Sequence, residues 1–497
     1  MKDCSALRKH LGRLAIWEDG SNTGELMGVT EDSRQTKTDW LFVAINGAVA
    51  DGLHYVSAAV EKGATVVIVR HEPEMTRPLL NDLRTQGWGG LWLEVSDDYA
   101  AFGRAAEWWY NFPGQRLRTT AVTGTNGKTT TAFLLRHLLV SSGLQTGMIG
   151  TVCYELGRRA EPADRTTPTP GQLQKLLATM VEDGTTDLVI EASSHSLAQR
   201  RLGTMPVEVA IFTNLTQDHG DYHVSFDDYF QSKARLFNEY LKADGLAVIN
   251  LDDPWGQRLA GCCSRRVVTF GVSAAAEMRV QILKADQAGS TFLLGDDEWH
   301  VPLAGSYNVA NTAGAILAAR HLGLGRDAIR EGLASFAGVP GRMEAVPNEL
   351  GVSILVDYAH TDDAIANALS AVRSTTSGKL ICVFGAGGDR DTRKRPAMAE
   401  KASGLSDLLI LTSDNPRTED PERILDHIEA GVPEGQSYER ISDRRQAIGR
   451  AIELAEEGDC ILIAGKGHED YQEVNGVKYP FSDAQVAKDI AARIRFP

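Results

Sequence analysis

No stretch of the chain approaches the roughly 18 consecutive apolar residues of a membrane-spanning helix, so membrane insertion is not expected. Met1 to Asp19 carries charges throughout and has no apolar run, which predicts no secretory signal. Cysteine is scarce and unpatterned. Cys4, Cys153, Cys262, Cys263, Cys382 and Cys460 form no C-x-x-C pair, and the adjacent Cys262 and Cys263 match no metal spacing. All are expected to be reduced thiols in a cytoplasmic protein. An excess of basic charge is missing too. With 51 Lys and Arg against 66 Asp and Glu, the net charge is −15, which argues against non-specific nucleic-acid binding. Any anionic substrate must be held by local positive charge. No low-complexity segment and no repeat of fixed period is present.

What remains is an ordinary globular balance, 43% hydrophobic and 24% charged, over 497 residues. That length suggests about three domains. Pro113-Gly114 and Val339-Pro340-Gly341 are the candidate joints, giving 1–112, 113–338 and 339–497. In the first, Trp40–Ile45 reads as a strand running into an Asn46-Gly47 turn, Tyr55–Lys62 as a helix and Thr65–Val69 as a strand. A basic, aromatic stretch from Phe102 to Arg118 crosses to the second. There Thr119–Thr123, Leu188–Ile190 and Val207–Thr213 read as buried strands, and strand–helix alternation to about Leu333 predicts a mostly parallel sheet. In the third, the apolar strands Leu380–Phe384, Leu408–Thr412 and Cys460–Ala464 each precede a polar or glycine-rich loop. The fold class is therefore α/β. Ligands of open α/β sheets sit beyond the carboxyl ends of the strands, which places the chemistry in these loops.

The most informative loop is Gly124-Thr125-Asn126-Gly127-Lys128-Thr129-Thr130, between a strand and a helix predicted for Lys128–Ser142. Glycines let the backbone wrap phosphate oxygens, and the N–H groups and helix N-terminus favour an anion. Lys128 would reach the β/γ-phosphates and Thr129 would ligate Mg²⁺. The G-x-x-x-x-G-K-[ST] pattern is not met, because Val122 takes the first glycine position. Glu191, just past Leu188–Ile190, suits a Mg²⁺ ligand. Further on, Asp218-His219-Gly220-Asp221-Tyr222-His223, read alone, fits either a zinc site or a solvated acidic loop. Lys233 alone reads as an ordinary helix-surface lysine, and Asp32-Ser33-Arg34 as a helix cap or turn. Gly385-Ala386-Gly387-Gly388-Asp389-Arg390 is not a dinucleotide fingerprint, since Arg390 holds its third glycine position.

The T-G-T-N-G-K-T-T loop resembles the Mur ligases and the related folylpolyglutamate synthetases, which use ATP to phosphorylate a carboxylate that an amine then attacks. The resemblance runs along nearly the whole chain. It implies a small N-terminal α/β domain for a UDP-linked precursor, a central P-loop-type domain for ATP and a Rossmann-like C-terminal domain for an amino acid. It implies two Mg²⁺ sites, with His219 helping to hold the second and Lys233 carried as a carbamate (N6-carboxylysine). Catalytic roles then fall to Lys128, Glu191, His219 and Lys233. Asn308, Arg342, Asp357 and His360 match nucleotide contacts. Ser33, Thr166, Thr167, Ser193, Gln199 and Arg201 match contacts to the UDP-muramoyl peptide. Ala48, Gly220, Tyr307 and Asp362 depart from the family pattern. Asp414-Asn415-Pro416-Arg417 resembles the loop of diaminopimelate-adding members. Meso-diaminopimelate differs from lysine by a second carboxylate, which a guanidinium would hold. Arg390, Asn415, Arg417, Gly465 and Glu469 match the contacts to that amino acid. The implied activity is ATP-dependent, ADP-forming addition of diaminopimelate to UDP-N-acetylmuramoyl-L-alanyl-D-glutamate by a monomer. Lysine addition, folylpolyglutamate synthesis and a nucleotide-binding regulatory protein are the alternatives.

Overall fold

The computed structural model describes residues 2, 4–21, 24–47, 50–218, 220, 222–286, 289–373 and 375–494. Ala48 and His219 lie outside the described residues. The chain divides into two compact units. One comprises Met1–Ala121, Leu144–Ala210 and Ser232–Gly245, and the other Val122–Gly143, Ile211–Gln231 and Leu246–Pro497.

The first unit opens with a five-stranded sheet in the order Ala15–Asp19, Leu91–Val95, Ala64–Arg70, Trp40–Val43, Gly28–Thr30. Its pairs are parallel except for the antiparallel edge strand Ala15–Asp19. Side chains alternate across a strand, so Leu41 and Val43 pack with Leu7, Leu11 and Ala105 while Phe42 and Ala44 pack with Val56, Ala59 and Leu80. Apolar residues on both faces suit a parallel sheet covered by helices on each side. The expected helix over 55–62 is a 3₁₀ turn, Gly52–Tyr55, followed by the helix Val56–Glu61, with Asp51 accepting from Leu53 N. The first half of the stretch from Phe102 to Arg118 is not a crossing segment. It belongs to the helix Asp98–Trp109, capped by Asp97, whose carboxylate accepts from Ala100 N. Ala101, Phe102, Ala105, Ala106 and Trp108 are buried at helical spacing, so the aromatic residues are core contacts.

The central sheet has eleven strands, in the order Asp297–Val301, Gly289–Leu294, Met278–Asp286, Arg266–Gly271, Leu241–Asn250, Val207–Phe212, Arg118–Thr123, Asp187–Glu191, Thr146–Ile149, Cys153–Glu155, Ala160–Pro162. Pairs such as Asp187–Glu191 with Thr146–Ile149, and Leu241–Asn250 with Arg266–Gly271, are parallel. Antiparallel hairpins extend it at both ends. Those hairpins were not visible in a pattern read as strand–helix alternation, because their short strands carry polar, half-exposed residues.

The last 150 or so residues of the second unit form a six-stranded sheet: Glu344–Ala345, Ser353–Asp357, Cys460–Ala464, Leu380–Phe384, Leu408–Leu411, Tyr438–Arg440. All pairs but the first are parallel. Helices Asp362–Arg373, Lys394–Ser403 and Pro421–Glu429 cover one face with Leu380, Cys382 and Phe384. Helices Arg444–Leu454 and Asp483–Ala491 cover the other with Ile381 and Val383. The chain therefore winds out along one face and returns along the other to insert Cys460–Ala464 between two earlier strands. This is the doubly wound arrangement, in which the loops after Asp357, Phe384, Leu411 and Ala464 share one end of the sheet.

Candidate active site

The strand Arg118–Thr123 runs into the glycine loop, and the helix Lys128–Ser141 starts directly after it. Two positions require glycine. A Cβ at Gly124 would lie 1.9 Å from Thr213 Oγ1, and one at Gly127, with φ of 85°, would lie 2.2 Å from Asn311 Oδ1. The loop is fixed by Thr125 N donating to Asn214 O at 2.9 Å and Asn126 N to Asn214 Oδ1 at 2.9 Å. Thr213 Oγ1 donates to Asn126 O at 2.6 Å, and the Thr125 and Tyr229 hydroxyls lie 3.0 Å apart. Lys128 Nζ donates to Gly124 O at 2.9 Å and Thr125 O at 2.8 Å, which holds its ammonium over the loop. A fixed loop, a lysine and a helix N-terminus form a phosphate-binding geometry.

Beside the loop, in the same unit, lies a cavity of about 260 Å³ whose lining includes Asn126, Tyr307, Asn308, Arg342, Asp357 and Asn367. Arg342 Nη2 donates to Thr129 Oγ1 at 3.2 Å, and Asn126 Nδ2 to Asp363 Oδ2 at 3.0 Å. Asp357 accepts from Met343 N at 2.8 Å, and its burial pushes the carboxyl above the usual range. His360 Nδ1 donates to Tyr358 O at 2.9 Å. Burial, reinforced by Lys394, pushes the ring down to about 4, so it is neutral at pH 7. The Arg342 guanidinium stacks 4.6 Å over the Tyr358 ring, which lies 4.8 Å from His360 and 5.2 Å from His468. Asn308, Arg342, Asp357 and His360 are thus gathered as expected. Asn214, Asp363 and Asn367 join them unexpectedly, and Asp363 was legible only as a carboxylate beside the aberrant Asp362.

Within the first unit, Glu191 is fully buried at its strand end and accepts from Thr151 N at 2.9 Å and Thr151 Oγ1 at 3.0 Å. Thr151 Oγ1 lies 3.0 Å from Thr166 Oγ1, and Thr167 Oγ1 donates to Glu191 O at 2.6 Å. Ser193 N donates to Thr167 Oγ1 at 3.2 Å. Arg201 Nη1 donates to Thr167 O at 2.6 Å, and its Nε and Nη2 grip Gln199 Oε1 at 2.9 and 2.7 Å. Thr166, Thr167, Glu191, Ser193, Gln199 and Arg201 therefore form one cluster. Ser33 is buried, and its carbonyl accepts from Lys62 Nζ at 3.1 Å. Its neighbours make a local turn, with Arg34 Nη2 donating to Asp32 at 2.8 Å. Glu31 was missed by the sequence reading. It bonds the Thr169 side chain and faces Arg165, and burial raises its carboxyl. Lys233 corrects an expectation. It is not on a helix surface but 1% exposed, near the end of the helix Phe226–Arg235, where a π-helical turn, Leu236–Tyr240, follows. Tyr229, Phe230, Ser232, Leu236 and Phe237 are buried around it in sequence, which a period of 3.6 would have signalled.

The third group stands at the carboxyl end of the six-stranded sheet. Asn415 Nδ2 donates to Glu469 Oε2 at 2.7 Å, and Lys466 Nζ donates to that oxygen and to Asn415 Oδ1, each at 3.0 Å. Lys466, fully buried, was not anticipated as part of this site. Arg417 Nη1 donates to Gly388 O at 2.6 Å, and a Cβ at Gly387 would lie 2.9 Å from Arg417 Nη1 and 3.8 Å from Arg390 Cγ. The two guanidinium side chains thus flank Gly387. Gly465, with φ of 118°, allows Asp414 to approach: a Cβ there would meet Asp414 Oδ2 at 2.5 Å. Below the pocket, Arg444 Nη2 and Asp483 Oδ2 form a fully buried ion pair at 2.7 Å. Arg444 also donates to Ala464 O at 3.0 Å and Ser413 O at 3.3 Å, tying the two strand ends together. The result is a cluster of guanidinium, ammonium and carboxylate groups at one end of the sheet, chemistry that complements a zwitterion with an extra anionic group.

A phosphate-binding loop, the cavity beside it and a cluster of guanidinium and carboxylate groups fit an acid–amino-acid ligase, and the family comparisons agree. The Mur ligase middle domain matches residues 122–319, and the Mur ligase glutamate ligase domain matches residues 341–467. The chain belongs to the Mur ligase family. More narrowly, it is 40% identical to the UDP-N-acetylmuramoyl-L-alanyl-D-glutamate–2,6-diaminopimelate ligase of Geobacter metallireducens, over 96% of this chain and 95% of that one. It is 41% identical to the enzyme of the same name from Aquifex aeolicus, over 93% of each chain. A solved structure of a ligase with that name superposes with a TM-score of 0.65 at 33% identity, covering 95% of this chain and 97% of the other.

Proposed function

We propose that the protein joins meso-diaminopimelate to UDP-N-acetylmuramoyl-L-alanyl-D-glutamate in peptidoglycan precursor synthesis, consuming ATP and releasing ADP and phosphate. The observation that carries this reading is the pocket where Arg417 stands beside Asn415, Lys466 and Glu469. A second carboxylate on the amine substrate matches the guanidinium, and its distal ammonium matches Glu469. In the reaction, the D-glutamate γ-carboxylate attacks the γ-phosphate of ATP, forming an acyl phosphate and ADP. The free amine of diaminopimelate attacks the acyl carbon, and phosphate leaves as the tetrahedral intermediate collapses to the amide. Lys128 and the loop N–H groups stabilise charge on the transferring phosphoryl group. Arg342, Asp357, Asn308 and His360 hold the nucleotide. Ser33, Thr166, Thr167, Ser193, Gln199 and Arg201 hold the UDP-linked precursor, and Arg390, Asp414, Pro416 and Gly465 complete the amine pocket.

Mg²⁺ fits the donor chemistry. The Thr129 hydroxyl and the fully buried Glu191 carboxylate are hard oxygen donors, as a Lys233 carbamate would be. Thr129, Glu191, His219 and Lys233 are proposed to hold two ions, which when bound offset repulsion between the phosphates and the incoming carboxylate. Lys233 is proposed to carry carbon dioxide as N6-carboxylysine, which turns a buried amine into an oxygen donor. Domains of 1–112, 113–338 and 339–497, a monomeric state and a cytoplasmic location complete the proposal. Amine-dependent ADP release tests it. Turnover with the UDP-precursor and diaminopimelate, and little with lysine, is expected; equal or better turnover with lysine would refute the assigned specificity.

A further inference from the structure

The loop 414–417 does not hold itself. Arg417 has a φ of 51°, a left-handed conformation that costs a residue with a side chain on the order of 1 kcal/mol and persists only where its surroundings impose it. The surroundings are a two-stranded hairpin, Tyr471–Val474 with Val477–Pro480, turned at Asn475-Gly476. Arg417 N donates to Glu473 O at 3.0 Å, and Asn475 N donates to Arg417 O at 2.7 Å. Arg417 thus pairs with Val474 as a parallel bridge on the hairpin's edge. Two more bonds reach the same loop: Gln472 Nε2 to Asp414 O at 2.7 Å, and Glu473 N to Asn415 Oδ1 at 2.9 Å. The Glu473 carboxylate stands 3.6 Å from Arg417 Nε. Gly388 O takes one proton of Nη1, and Glu473 faces the Nε side. Contacts on both Nη1 and Nε therefore fix the orientation of the guanidinium, the group proposed to meet a carboxylate.

We propose that Gln472 and Glu473 are positioning residues for the amine substrate. The hairpin Tyr471–Pro480 is a strap that sets the conformation of Arg417, so selection of the second carboxylate depends on a segment outside the Asp414–Arg417 loop. This rests on the diaminopimelate reading of the pocket. Both side chains are partly exposed, so their removal leaves the core intact, while the backbone bonds of Glu473 survive substitution.

The test is steady-state kinetics of Gln472→Ala, Glu473→Ala and the double variant with ATP, UDP-precursor and diaminopimelate varied in turn. In the double variant, KM for diaminopimelate should rise on the order of 10-fold. The kcat value and the KM values for ATP and precursor should stay within about 2-fold, as expected for lost ground-state positioning. Glu473→Gln, which keeps an acceptor beside Nε, should recover most of the loss of Glu473→Ala. In an Arg417→Ala background, Glu473→Ala should add nothing. An unchanged diaminopimelate KM in the double variant overturns the strap, as does a parallel fall in kcat and thermal stability. A wild-type enzyme that releases no ADP in response to diaminopimelate overturns the underlying reading and the strap with it.

Discussion

In the proposed nucleotide loop, the groups offered to a phosphate are main-chain N–H groups and one lysine from consecutive residues, Gly124 to Thr130. In the proposed amine site they are side chains from the loops after three strands, Leu380–Phe384, Leu408–Leu411 and Cys460–Ala464, held by Arg444, Lys466 and the hairpin. Glycine clearances of 1.9 and 2.2 Å against Thr213 and Asn311 shape the first, whereas a buried ion pair and cross-loop bonds impose the second. The amine site joins residues 31 to 54 positions apart, as in Arg444 with Ser413 and Asp483 and Asn415 with Glu469 and Lys466.

The contrast can be broken in four places. Lys128→Ala should cause the largest loss, on the order of 1000-fold in ADP formation, with folding unaffected. Retained turnover in a coupled assay would remove the phosphate role. Arg444→Met leaves Asp483 charged and unpaired in the core. It should cost roughly 3–5 kcal/mol of stability, read by denaturant unfolding. A loss under 1 kcal/mol would show that the strand ends do not need the pair. Arg417→Ala should lower kcat/KM for diaminopimelate on the order of 100-fold, equivalent to about 2.7 kcal/mol, while leaving lysine turnover and nucleotide affinity unchanged. The smallest effect belongs to His360, whose folded value near 4 lies below its ordinary 6.5. Its neutral ring contributes stability fully above pH 6.5 and loses that contribution as pH falls through 4. Acidifying the nucleotide-free protein from pH 7 to 5 should cost about 2 kcal/mol more for wild type than for His360→Gln. Parallel melting curves would contradict a buried neutral ring.

The parts of the fold legible in the sequence were those written in local pattern. Leu380–Phe384 and Cys460–Ala464 are uninterrupted apolar strands and have the expected bounds. The phosphate loop announced itself because glycine, lysine and threonine spacing is its mechanism. The helix Asp98–Trp109 was obscured because its aromatic side chains resemble a linker's until their spacing is counted. The paired hairpins at the ends of the central sheet were missed because strands such as Met278–Asp286 and Ala160–Pro162 are largely exposed and carry no sustained apolar run. The same physics separates the site residues. Glu191, Arg342, Asn415 and Arg417 sit in recognisable motifs. Lys466 and Glu473 reveal their part only through bonds to Asn415 and Arg417, and Lys233 reads as a surface residue until its burial is seen.

The missing side chain at Gly465 ties two motifs into one object. Asp414 occupies the space any larger residue would need, so the loop after Leu411 and the loop after Ala464 fit only each other. An engineer who grafted a new amino-acid preference onto one loop alone would collide with the other. Re-aiming this enzyme at a different amine is a task of exchanging both together, with the hairpin that clasps them.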